Sequence, residues 1–330
     1  VRKVILLFAD QDDGIATNVK RQLVSYGETV LQVDKNNPIS FSQFTINNDT
    51  EKLSLQYKNK VFCSTMIKSI WFRRGYFSKI KPINGDKSIE IDYLNYNINL
   101  EQQSLLDIIY SHFRRSCFTV SDPRSYQVNK IETLRCAKDC GLKIPSTLIS
   151  KTQSDIIKFR GDKDIITKGI QEVFEMNWKN KVYYNQTERV LSSSLMGMQE
   201  AFFPTLFQKE IIKQFEIRTF YFCGLFYSMA IFSQNDKTTE VDFRNYNDEK
   251  PNRMLPIQLP CGIESKLSKL MDKMSLETGS IDLIFASDNS YTFLEVNPVG
   301  QFEFLANSCN YPITKDIADI LKNGQRPCVL

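Results

Sequence analysis

Apolar and polar positions divide the chain into short runs of two kinds. Val4 to Phe8 is continuously apolar, the pattern of a strand covered on both faces. Asp10 to Gly14 is a loop, and Ala16 to Tyr26 carries apolar residues at helical spacing before Gly27 ends it. Glu28 to Asp34 predicts a second strand, so the chain opens β-α-β, as an open α/β sheet does. Phe41 to Tyr57 alternates around Asn47-Asn48-Asp49 and predicts a hairpin. Lys68 to Phe77 predicts a strand whose Arg73 and Arg74 point to opposite faces, one for an ion pair and the other for a ligand. Ile89 to Ser116 predicts a helix.

Ser121-Asp122-Pro123 is a break, and the pattern changes after it. Ser125 to Cys140 predicts a helix closed by Gly141, with Lys130 in its first turns. A lysine there opposes the helix dipole and is better placed to meet an anion. Ser154 is the expected cap of the next helix. Asp164 to Gly169 predicts a strand ending in Lys168, paired with Trp178 to Tyr184. Lys168 can reach phosphate oxygens from a sheet, or simply be a solvated edge lysine. Leu206 to Ile211, Phe215 to Phe222 and Leu225 to Phe232 are further strands, the last two joined at Cys223-Gly224. Glu216 and Arg218, two apart, share a face. Ser233 to Glu240 is a polar loop, and Arg244 follows it, placed to meet a phosphate or carboxylate. Pro260 to Ser275 includes a helix, and Ile313 to Leu321 is the last, with Thr314 as its cap.

The stretch from Ile281 to Gln301 carries the most chemistry. Two β-prone runs flank the turn Asp288-Asn289-Ser290. Glu295 and Asn297 project together, and a paired strand brings Asp282 beside them. Two carboxylates and an amide oxygen form a hard donor set that suits Mg²⁺ bound to nucleotide phosphates. An ordinary acidic surface hairpin is the alternative. The apolar neighbours Leu294 and Val296 favour a charge with a partner.

Composition narrows the chemistry. At 330 residues the chain holds two or three domains, and a net charge of +4 is too small to argue for nucleic acid. No run of about 18 apolar residues predicts a membrane span. One histidine and eight scattered cysteines without a CxxC pair disfavour zinc and histidine-based nucleophilic chemistry. They fit reduced thiols in a cytoplasmic protein. Only Gly14 follows the first strand, which disfavours a dinucleotide site. The default for His112 is a structural role.

The pieces WFRRGYF (71–77), DPRSYQVNK (122–130), GLKIPSTLIS (141–150), FEIRTF (215–220), AIFSQND (230–236), VDFRNY (241–246) and LEVNPVGQFEFL (294–305) together resemble the ATP-grasp superfamily. They are most similar to graspetide synthetases, the microviridin-ligase-like enzymes that close rings in ribosomal precursor peptides, and within these to the branch accompanied by a SPASM-domain protein. The resemblance covers nearly the whole chain and is weakest over the first 120 residues. It implies an α/β protein with an ATP-grasp fold. A pre-ATP-grasp domain (1–120) would precede a central lobe (121–205) and a C-terminal lobe (206–330), the two lobes clasping ATP.

The resemblance also implies roles. Lys130 and Lys168 would meet ATP phosphates. Gln208, Lys209, Glu210 and Ile211 would form the adenine hinge, although Lys209 and Glu210 depart from the commoner acidic-then-aromatic order. Glu216 would bond the ribose, and many relatives carry Asp there. Arg218 and Arg244 would serve the reaction centre. Asp282, Glu295 and Asn297 would hold Mg²⁺, taken as two ions. The implied partners are a precursor peptide with leader and core segments, a second copy in a homodimer, and a SPASM-domain protein; no nucleic acid or membrane is implied. The implied reaction activates Asp or Glu side chains as acyl phosphates and joins them to Ser or Thr hydroxyls or Lys amines. Two other readings remain: a glutamate-ligase-like enzyme adding an amino acid to an acceptor, and a non-enzymatic nucleotide-gated peptide scaffold.

Overall fold

The computed structural model describes residues 3–75, 77, 83, 89–171, 175–179, 181–184, 187–234, 240, 243 and 251–327. The chain forms two compact units, Val1–Tyr126 with Pro312–Leu330, and Gln127–Tyr311.

The first unit is built on a parallel sheet in the order Thr29–Val33, Val4–Phe8, Ile67–Phe72, Phe118–Val120. Val4–Phe8 is interior to it, and Ile5 to Phe8 are fully buried, which is why that run has no polar residue. Helix Gly14–Ser25 is capped by Asp13, whose carboxylate accepts from the Ala16 amide at 3.0 Å. Gly27 follows with φ +78°, a conformation that favours glycine. Helix Ile89–Ser116 matches its predicted bounds.

Three features of this unit depart from the sequence pattern. The strand expected over Lys68 to Phe77 stops at Phe72, because the Arg73, Arg74 and Gly75 amides all donate to the Phe8 carbonyl. Arg73 is buried beside Asp13 at 3.6 Å, and burial pushes its guanidinium down to about 10 against the pull of that carboxylate. Arg74 is exposed. The terminal helix Ile313–Asn323, assigned by sequence to the last lobe, belongs to the first unit, where Ser69 Oγ donates to the Leu321 carbonyl at 2.7 Å. Pro312 precedes that helix, so Thr314 lies inside it rather than capping it.

The predicted hairpin is part of a three-stranded antiparallel sheet, Ile39–Ile46, Glu51–Tyr57 and Lys60–Cys63. Asn47 Oδ1 closes its turn by accepting from the Asp49 and Thr50 amides at 3.0 and 2.8 Å. His112 ties this sheet to the long helix. Its ring bonds Ser64 Oγ at 2.8 Å and pairs closely with Glu51. Both Ser64 and His112 are buried, which supports the structural role.

The second unit contains two larger antiparallel sheets and the hairpin Glu175–Trp178 with Lys181–Tyr184. One sheet runs Glu188–Arg189, Ile165–Lys168, Ala201–Lys209, Thr147–Thr152. Here strand 165–168 pairs with 201–209 and 188–189, not with the expected 178–184. The expected boundary between residues 205 and 206 falls inside strand 201–209. Helix Gln153–Arg160 follows Thr152, so Ser154 is also inside its helix.

The other sheet runs Arg253–Ile257, Leu225–Phe232, Lys213–Phe222, Thr278–Ala286, Tyr291–Asn297. Helices Lys130–Asp139 and Cys261–Lys273 share a core with its strands: Leu134, Ala137, Leu267 and Leu270 cluster with Ile217, Tyr221, Ile281 and Phe293. The first of these helices is shorter than predicted. Pro123–Ser125 is a separate 3₁₀ turn, and Asn129 caps the helix by accepting from the Ile131 and Glu132 amides at 2.9 and 3.1 Å. Lys130 is therefore its first residue.

Candidate active site

The site is assembled by strand register. Arg218 lies opposite Asp282, and Asp282 opposite Glu295, so three charged residues form a row across three strands. Asn297 lies two residues along the last strand, opposite Ser280. A bulge follows the Asp282–Glu295 pair and leaves Leu294 without a cross-strand partner. Leu294 and Glu295 consequently line the same cavity although they are adjacent in sequence.

Each carboxylate in the row is held by cations. Arg218 Nη1 meets Asp282 Oδ1 at 2.6 Å, with both side chains largely buried. Glu295 Oε2 lies 3.8 Å from Lys130 Nζ and 3.6 Å from Lys168 Nζ. Lys130 Nζ also donates to the Gly169 carbonyl at 3.5 Å. The two lysines come from a helix start and a strand end, and Glu295 gathers both. Among the described residues three cations face two carboxylates, a balance that suits a polyanion. Arg218 Nε is buried and has no hydrogen-bond partner among the described residues, so a donor stands ready for an added acceptor.

Glu216 is buried and fixed from two sides. Lys213 Nζ donates to its Oε1 at 2.8 Å, and Ser233 Oγ donates to the same oxygen at 2.8 Å. Sequence reading missed Lys213 and Ser233. Lys213 is three residues from Glu216, which on a regular strand means opposite faces. An irregularity between Lys213 and Phe215 changes that parity, and nothing in the sequence signals it.

The predicted hinge residues do different things. Gln208 is buried and donates to Thr147 Oγ1 at 3.0 Å. The Lys209 amide donates to the Ser146 carbonyl at 3.0 Å, and its Nζ to the Arg160 carbonyl at 2.7 Å. The Glu210 amide donates to the Asp164 carbonyl at 2.9 Å, and Arg189 grips its carboxylate with two bonds of 2.7 and 2.5 Å. Lys209 and Glu210 are thus committed to protein partners. The Ile211 amide has none among the described residues.

A cavity of about 60 Å³ is lined by Lys168, Gln208, Ile211, Glu216, Asp282 and Glu295, among others. A larger one of about 720 Å³ shares Lys209, Ile211 and Lys213 with it. Arg244 and most of the loop 233–240 lie outside the described residues.

The donor set fits Mg²⁺ in one particular way. Among the described residues no three His, Cys, Asp or Glu side chains gather into a metal-binding group. Asp282, Glu295 and the amide oxygen of Asn297 cannot close a full shell. They suit a hard ion whose other ligands are phosphate oxygens and water. Asn297 Oδ1 already accepts from the Val299 amide at 3.1 Å, which orients it.

No protein-family model matches the chain, and no curated protein matches it. Solved structures do. A Chryseobacterium gregarium RiPP-associated ATP-grasp ligase, in complex with ADP and a leader and core peptide, matches with a TM-score of 0.76 at 23% identity, covering 100% of both chains. The macrocyclase MdnC from Microcystis aeruginosa MRC, bound with precursor peptide MdnA, matches with a TM-score of 0.73 at 24% identity, over 97% of this chain and 99% of that one. The ATP-grasp ligase PsnB, complexed with a phosphomimetic variant of a minimal precursor, Mg and ADP, matches with a TM-score of 0.69 at 16% identity and 98% coverage of both. At such identities the likeness speaks for architecture, and with coverage of nearly every residue it establishes that this chain has the ATP-grasp fold.

Proposed function

We propose that this chain is an ATP-dependent ligase that closes rings in a ribosomal precursor peptide, as a graspetide synthetase does. The observation that carries the reading is the Arg218–Asp282–Glu295 row with Lys130 and Lys168 gathered on Glu295. Among the described residues, three cations on two paired carboxylates, next to an open Ile211 amide, are the chemistry of a nucleotide triphosphate site. The complexes of similar structures with ADP, Mg and precursor peptides support the choice of ligands.

In this reading Lys130, Lys168 and Arg218 bind and neutralise the phosphates of ATP. Glu216, preset by Lys213 and Ser233, accepts from the ribose hydroxyls, and Ile211 meets adenine with its backbone. Asp282, Glu295 and Asn297 hold Mg²⁺, which supplies charge neutralisation on the phosphates when bound. A peptide Asp or Glu carboxylate attacks the γ-phosphate, giving an acyl phosphate and ADP. A Ser or Thr hydroxyl, or a Lys amine, of the same peptide then displaces phosphate and closes an ester or amide. Arg244 completes the cation set, and the polar loop 233–240 excludes water from the acyl phosphate. No histidine base is required, in keeping with one histidine in the chain, itself placed in the structural pair with Glu51.

The two sheets of the second unit are taken as the two ATP-grasp lobes, joined at residues 209–213. A pair of Mg²⁺ ions, a homodimer, a SPASM-domain partner and a cytoplasmic setting complete the proposal. Among the described residues no cysteine forms a disulfide, which suits a reducing compartment. The test is mass spectrometry of a precursor peptide encoded beside this gene, incubated with enzyme, ATP and Mg²⁺. The expected product has lost one water for each ring, with matching ADP release. A gain of one amino acid would point to a glutamate-ligase-like reaction. Absence of peptide-dependent ADP release would overturn the ligase reading.

A further inference from the structure

Arg189 ends the strand Glu188–Arg189, on the sheet that carries Lys168. Its guanidinium serves two carboxylates at once. Nε and Nη2 donate to Glu210 Oε2 and Oε1 at 2.7 and 2.5 Å, and Nη2 donates to Glu240 Oε1 at 3.2 Å. Glu210 precedes Ile211, and Glu240 lies at the far end of the polar loop that follows strand Leu225–Phe232. A planar fork grips one carboxylate with two bonds and still reaches a second, which the point charge of a lysine does not do.

From Glu240 the bonds run on to Glu216. The Gln234 side-chain amide donates to the Glu240 carbonyl at 3.1 Å and to Ser233 Oγ at 3.2 Å, which uses both of its hydrogens. Ser233 is fully buried, and its hydroxyl donates in turn to Glu216 Oε1 at 2.8 Å. Hydrogen bonds in such a chain polarise one another and hold their members in place together. Gln234 thus joins the two ends of the loop, and Ser233 passes the constraint to Glu216. Arg189, Glu210, Gln234 and Glu240 line the cavity of about 720 Å³ together with Ile211.

One cation therefore fixes two branches that belong to different sheets. Without it, Glu210 and Glu240 would bring like charges together and push apart. We infer that Arg189 is a positioning residue of the nucleotide site, setting the Ile211 amide through Glu210 and the Glu216 carboxylate through Glu240, Gln234 and Ser233. This role rests on the proposed ATP site, which puts adenine on the first branch and the ribose on the second.

Calorimetric titration of the full chain with ATP and with dideoxy-ATP, each with Mg²⁺, separates the branches, because dideoxy-ATP lacks the ribose hydroxyls that Glu216 would accept from. Glu240→Ala cuts the ribose branch and leaves the Glu210 grip in place. It should weaken ATP about three- to fivefold, the range of a partly exposed ion pair, and leave dideoxy-ATP as in the wild type. Arg189→Met cuts both branches and should weaken ATP about tenfold and dideoxy-ATP distinctly less. Circular dichroism melts separate lost positioning from lost folding, and if Arg189→Met unfolds, the Glu240→Ala comparison decides. Equal losses for the two nucleotides in the folded variants would make the network a structural brace and overturn the inference. Unchanged binding of both would overturn it too. A wild type that binds neither nucleotide overturns the proposed ATP site itself, and this role with it.

Discussion

Asp282 and Glu295 face each other across neighbouring antiparallel strands, yet each answers to different cations: Arg218 holds the first, and Lys130 with Lys168 flanks the second. Asp282 is tied within its own sheet. Glu295 draws together a helix start and a strand of the other sheet. The two acids therefore have separable roles in assembling the site.

Glu295→Gln removes the charge that gathers both lysines and leaves the residue's shape. Peptide-dependent ADP release should fall by about 100-fold or more, since preorganised charge at the reacting phosphate is lost. The melting temperature should stay near that of the wild type, because Glu295 is only partly buried. Full activity in this variant would remove Glu295 from the site.

Arg218→Met has a different signature. It leaves the largely buried Asp282 carboxylate without its 2.6 Å partner. Removing one member of a buried pair costs about 3 kcal/mol or more. Urea unfolding should register that loss, and Arg218→Met/Asp282→Asn should recover part of it while remaining inactive.

Gly300 sits in the turn after Asn297, where an added Cβ would lie 2.3 Å from Ser280 Oγ and 2.4 Å from Ser280 Cβ. Gly300→Ala should therefore destabilise by about 1–3 kcal/mol, as overpacking does. Ser280→Gly in the same chain removes both atoms and should relieve the clash. Thermal melts of the single and double variants decide the point.

The His112–Glu51 link predicts an acid response. Hydrogen bonds from His112 and then Arg115 hold Glu51 below its ordinary value of 4.5. A carboxylate depressed in the folded state stabilises fully above that ordinary value, and the contribution is lost as pH falls through the folded value. Wild-type melting temperature should drop between about pH 5 and pH 3, and Glu51→Gln should flatten that part of the profile. Equal slopes would show that other acids dominate.

Much of the site was legible because its register is local. The Asp282 strand, the turn at Asp288-Asn289-Ser290 and the Glu295 strand are contiguous, so alternation alone puts Glu295 and Asn297 on one face and a hairpin brings Asp282 alongside. Glu216 and Arg218 follow from the same rule. The partner of strand 165–168 was not legible. The candidate 178–184 was near in sequence and β-prone, whereas the true neighbour, 201–209, is chosen by the packing of its own apolar face. Lys213 was missed for a related reason: an irregular strand reverses parity, and no residue type announces it.

The sequence by itself determined most element types, the acidic hairpin, the end of the first helix at Gly27 and the residue kinds available for phosphate and metal. These depend on side chains a few residues apart. Only the tertiary structure decided which cations those acids hold, that the Lys209 and Glu210 amides are already engaged, and that the last helix joins the first unit. Each of those outcomes depends on contacts between segments far apart in the chain. Their energies come from burial and pairing across the fold, which no local pattern encodes.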